Sequence, residues 1–168
     1  MKPHLKTRKG STGKFSPRLV IFSGGQTGAD RAALEWAVGA GIQHGGWCPK
    51  GRLAEDGIIP KQYRLKETET SDYPVRTERN VEDSDGTVIF TIDKALRGGC
   101  ALTVHLAWKY SKPFLHLHKH SEDAGSQLAE FIRSHQINRL NVAGSRASKE
   151  PSIGEFVTTT LNDFLKRI

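Results

Sequence analysis

The chain is poor in the residues that staple or anchor a protein. Cys48 and Cys100 are the only cysteines in 168 residues; they cannot build a disulfide framework and are not spaced like zinc ligands, so reduced thiols are expected. No apolar run approaches the roughly 20 residues that cross a bilayer. Residues 1–17 hold no acid and no apolar leader segment, which places the protein in the cytoplasm. Internal repeats and linkers are missing too. A chain of this length then folds as one domain with a substantial core.

The net charge of +7 invites a nucleic-acid reading. However, Lys2, Lys6, Arg8, Lys9 and Lys14 lie in the acid-free tail 1–17, and the remainder, 18–168, holds 20 basic and 18 acidic residues. The folded part is therefore nearly balanced, and polyanion binding by the tail is the weakest functional reading.

Strand and helix patterns alternate along the chain. Leu19-Val20-Ile21-Phe22 reads as a strand buried on both faces. Ala29, Ala33, Trp36, Ala37 and Ala40 form the stripe of a helix stopped by Gly41. Residues 42–49 suggest a short second strand, and 50–72 a long polar loop serving as an ordered lid or subunit contact. A helix over 73–83 precedes the clearest strand, Thr87–Ile92, which is β-branched and aromatic. An apolar helix over 101–110, a strand over 113–117, a helix marked by Leu128, Phe131, Ile132 and His135, and a strand over 140–143 follow. The last helix opens with a capping box, Ser152 to Glu155, and carries Ile153, Phe156, Val157, Leu161, Phe164, Leu165 and Ile168 on one face. This order predicts a doubly wound α/β domain: a mostly parallel sheet, helices on both faces, and every strand-to-helix loop at one edge.

Ligands bind such sheets at that edge, so Gly24–Arg31, Asp93–Gly99, His116–His120 and Gly144–Lys149 are expected to converge. Ser23-Gly24-Gly25-Gln26-Thr27-Gly28-Ala29-Asp30-Arg31 has neither the Walker lysine nor the spaced glycines of a dinucleotide fingerprint. It admits two readings, a phosphate cradle at a helix N-terminus or a tight turn whose glycines serve packing. Gly98-Gly99 repeats the pattern, and Gly144-Ser145-Arg146 adds a hydroxyl and a cation. Asp30, Asp85 and Asp93 are the acids assigned to this edge; Asp30 favours the helix dipole or pairs with Arg31 or Arg76. His116, His118 and His120 alternate and would share a face, a pattern too weak to assign a metal.

Ser23–Leu34, Gly45-Gly46-Trp47-Cys48-Pro49-Lys50-Gly51-Arg52, Ala54-Glu55-Asp56-Gly57, Arg76-Thr77-x-x-Asn80-Val81 and Asn141-Val142-Ala143-Gly144 together resemble the putative molybdenum carrier family. That family is a branch of the Rossmann-like superfamily that also contains the cytokinin-activating phosphoribohydrolases. The resemblance implies a Rossmann-like fold, a homo-oligomer, and a phosphate-bearing ligand, molybdenum cofactor (molybdopterin) or a nucleotide. Gly24, Gly25, Gln26, Thr27, Gly28, Arg31, Gly98, Gly99, Gly144, Ser145 and Arg146 are the residues assigned to hold it. The alternative is N-glycoside hydrolysis. In the phosphoribohydrolases a catalytic Glu follows the second glycine junction, and His105 stands there in this chain; Asp30 and His105 are the only catalytic candidates.

Overall fold

A computed structural model describes residues 19–168. The tail assigned to 1–17 lies outside the described residues. Numbered along the chain, β1 (Val20–Phe22), β2 (Gln43–Gly45), β7 (Gly86–Thr91), β8 (Phe114–His118) and β9 (Arg139–Gly144) form one sheet. Its order is β2-β1-β9-β7-β8, and every pairing is parallel. The Rossmann-like doubly wound fold follows. β7 is buried at every residue, as expected of a strand covered on both faces.

The last strand does not add to an edge. It enters between β1 and β7, with Ile21 opposite Leu140 and Val88 opposite Val142. Counting β9 first turns the order into 3-2-1-4-5, the start of the classical Rossmann sheet. The first strand and helix of that arrangement thus stand at the C-terminal end of this chain.

The two faces are covered unequally. α1 (Ala29–Gly39), α4 (Ala124–Ser134) and α5 (Ile153–Leu165) share the main core with Ile21, Val88, Phe90, Leu140 and Val142. α2 (Tyr73–Asp83) and α3 (Gly98–Lys109) cover the other face around a smaller core of Val81, Leu106 and Ala107, with Leu102, Tyr110 and Phe114 packed against it. Beneath that thinner layer the strands bury polar side chains, with Asn141 Nδ2 donating to Thr87 Oγ1 at 3.2 Å.

Several local expectations need correction. The second strand breaks at Gly46, whose φ is +119° and where a Cβ would lie 2.5 Å from the Ser23 carbonyl. Beyond it, β3 (Trp47–Cys48) pairs with β6 (Lys66–Glu67), and β4 (Leu53–Ala54) with β5 (Gly57–Ile58). The 50–72 stretch is therefore a small folded insertion, whose Ile59 and Tyr63 pack against Leu34 of α1 and Cys48 of β3. Arg52 ties it together, donating to the carbonyls of Ile59, Pro60, Tyr63 and Leu65 at 2.8–3.3 Å. At α5, Ser152 makes no side-chain cap, and Leu165 and Ile168 face solvent because the helix ends at Leu165.

Candidate functional site

β9 leads to α5 on one face and β7 to α3 on the other, so their loops part between neighbouring strands. A crevice at such a switch point is the usual ligand position in an open α/β sheet. A cavity of about 110 Å³ lies there. Its walls are Arg76, Thr77 and Asn80 of α2, Gly99, Cys100 and Thr103 of α3, and the end of β9 from Asn141 into Ser145 and Arg146. Arg97 and Lys149 complete the rim, and among the described residues Asp30 is the only carboxylate in the lining.

The second glycine junction is open. A Cβ on Gly99 would meet nothing within 4 Å, and one on Gly98 only Lys149 Nζ at 3.9 Å. Among the described residues the N–H groups of Gly98 and Gly99 donate to nothing, and Arg97 and Lys149 enter no ion pair. Free N–H groups at a helix start beside two free cations favour an anion. Cys100 faces the same space; burial pushes its thiol up to about 11, so it is neutral at physiological pH.

Most of the first junction is packed by the chain itself. The guanidinium of Arg76 lies against Gly24, Ile59 and Leu65 cover Gly25, and the Ser145–Ala147 backbone packs on Gly28, where φ is +81°. The N–H groups of Gln26, Thr27, Ala29 and Arg31 donate to Asp30 Oδ2, Gln26 Oε1, Ser145 O and Gln26 O. The anion in this turn is the buried Asp30 carboxylate, which pairs with Arg76 Nη1 at 2.8 Å. Burial raises its pKa, against the lowering effect of Arg76 and the Gln26 N–H. Arg31 faces away from the cavity, bound to Asp56 at 3.0 Å and to the Gly25 carbonyl.

Of the residues assigned to binding, the cavity brings together Gly24, Gln26, Gly99, Gly144, Ser145 and Arg146; Gly25, Thr27, Gly28, Arg31 and Gly98 lie outside its lining. Gly144 is a packing glycine, since a Cβ there would lie 2.3 Å from the Phe90 carbonyl. Of the four loops expected to meet, only His116–His120 adds nothing to the lining, and of the acids assigned to this edge Asp85 and Asp93 do not reach it. His116–His120 ends β8 at the sheet margin, with His116 Nε2 2.7 Å from Thr91 Oγ1, and burial lowers the His116 pKa. Asp85 precedes β7 and sits at the opposite edge, accepting the N–H groups of Asn138 and Arg139. Asp93 joins a loop held by Glu150, which accepts the N–H groups of Ile92 and Asp93. His105 lies exposed on α3, outside the cavity. Among the described residues no three His, Cys, Asp or Glu gather as a metal site, and no helix is long and apolar enough to cross a membrane.

Arg76, Thr77, Asn80 and Thr103 were missing from the sequence assignment. For the first three the signal was the Arg76-Thr77-x-x-Asn80 spacing, which puts three polar groups near one helix face. Asn80 also anchors the insertion, since its amide exchanges two 2.8 Å bonds with the Trp47 backbone.

No curated protein matches the chain. Among solved structures it is similar to a putative molybdenum carrier protein from Syntrophus aciditrophicus SB, at 48% identity and a TM-score of 0.85, over 89% of this chain and 96% of that one. Residues 21–165 match the circularly permutated YpsA SLOG family. The relocated β9–α5 unit accords with that permutation, and the chain belongs to this family.

Proposed function

We propose that the crevice holds the phosphate of a small phosphate-bearing ligand, molybdenum cofactor or a nucleotide, and that the protein carries this cargo without consuming it. The observation that carries the reading is the open α3 junction, where two glycine N–H groups that are free among the described residues stand beside Arg97 and Lys149, which enter no ion pair among them. Arg76, Arg146 and Ser145 complete a cationic, hydrogen-bonding wall. The cavity of about 110 Å³ suits a phosphate group. It is smaller than the roughly 300 Å³ and more of pockets that enclose whole ligands, so a pterin or base lies outside it. Likeness to a Syntrophus protein named as a molybdenum carrier favours molybdenum cofactor over a nucleotide.

Holding is favoured over N-glycoside hydrolysis by the two catalytic candidates themselves. Asp30 is bound to Arg76, and His105 is exposed away from the cavity. The reading places the protein in the cytoplasm and includes a homo-oligomer; Trp108, 73% exposed on α3, supports a contact between copies that sedimentation would detect. Incubation with molybdenum cofactor followed by gel filtration tests the central claim. Pterin and molybdenum should stay with the parent and be lost from an Arg97→Ala, Lys149→Ala double variant. Elution of both as free ligand, or release of free base from a nucleotide panel, contradicts carriage.

A further inference from the structure

We propose that Thr27, Arg146 and Ser148 form a second oxyanion site, which Glu55 fills from within the chain and from which a phosphate or diphosphate group displaces it. The site lies beside the α3 junction and does not depend on it.

Glu55 stands at the tip of the β4–β5 hairpin. Its carboxylate accepts the Ser148 N–H at 3.1 Å and the Ser148 hydroxyl at 2.6 Å, and also accepts the Thr27 hydroxyl. Arg146 Nη1 lies 3.9 Å away. Two hydroxyls, one backbone N–H and one guanidinium thus converge on a single planar anion. None of these donor types is specific to a carboxylate, and together they match what a tetrahedral phosphate oxygen set requires. The Ser148 and Thr27 hydroxyls hold the Glu55 carboxyl below its ordinary range, the mark of a site that favours negative charge.

Release of Glu55 costs no core. The hairpin is fastened at its base, where Arg52 gathers four carbonyls and Ile59 is buried, while Ile58 near the tip is 65% exposed. The neighbouring Asp56 keeps its own pair with Arg31. Rotation of one side chain empties the site. Arg146 also lines the cavity, so the two sites share a guanidinium, and two linked phosphates are the ligand chemistry that uses both.

Calorimetric titration of inorganic pyrophosphate into the full chain tests this. Glu55→Ala should bind at least tenfold more tightly than the parent, Glu55→Gln should fall between them, and Glu55→Ala with Ser148→Ala should lose most of the gain. Unchanged or weaker affinity in Glu55→Ala overturns the proposal and leaves Glu55 as a hairpin latch. Should Glu55→Ala fail to fold, Glu55→Gln decides, because it keeps an acceptor for Ser148 and removes only the charge; affinity equal to the parent's then overturns it. Lys149→Ala separates the two sites, since it weakens parent binding through the cavity and leaves the gain from Glu55→Ala in place.

Discussion

Two glycine-rich turns reach the same crevice, Ser23–Arg31 after β1 and Arg97–Thr103 after β7, and their glycines do different work. In the first turn each tight approach is made by the protein itself: Arg76 on Gly24, two aliphatic side chains on Gly25, and the third loop's backbone on Gly28. Asp30 supplies the anion and takes the Gln26 N–H. In the second turn the glycines face open space, and their N–H groups are free among the described residues. Glycine in a sequence marks where something comes close; it does not say whether that something is the chain or a ligand.

That contrast breaks first under substitution. Gly28→Ala should cost about 4 kcal/mol, since a Cβ 2.4 Å from the Ser145 carbonyl adds overpacking to a left-handed backbone. Gly99→Ala should move stability by under about 0.5 kcal/mol while weakening anion binding; urea midpoints with calorimetry compare the two. Asp30→Asn should cost about 3 kcal/mol, because it leaves the mostly buried Arg76 charge alone, with its Nε already unpartnered. Lys149→Ala should leave the urea midpoint in place and weaken phosphate binding about tenfold, or 1.4 kcal/mol.

Acid sharpens the contrast further. Glu55, which fastens the first turn to the third loop, has its carboxyl held below the ordinary 4.5 by Ser148 and Thr27. Its stabilisation is complete above pH 4.5 and is lost as pH falls through the lowered value. Urea midpoints of the parent and Glu55→Gln should therefore differ at pH 7 and converge on acidification. The smallest effect belongs to His105→Ala, which should change neither phosphate affinity nor stability by more than about 0.5 kcal/mol, given its exposure on α3.

The alternating architecture was readable because period and burial agree: β7 is apolar or β-branched along its length and buried throughout. The sheet order was not, because the place of β9 between β1 and β7 is set by pairing across more than a hundred residues to β1 and more than fifty to β7. The 50–72 insertion looked like a loop because its order rests on Arg52, held at a φ of +55° to reach four carbonyls, and on two buried residues, Ile59 and Tyr63, that pack on Leu34 and Cys48 outside it. Within the site, the glycines were legible and their orientation was not. Arg76 was named as a partner for Asp30 on equal terms with Arg31, and only the packing of α2 over the crevice selects it.

The difference between the two turns is open to one direct measurement, a ¹⁵N–¹H NMR titration of the full chain with inorganic phosphate. That difference predicts amide shifts concentrated at Gly98, Gly99 and Cys100, with Ser145 and Arg146 following, while Gly24, Gly25 and Gly28 stay still. Shifts at Gly24, Gly25 and Gly28 with a silent α3 junction would contradict it.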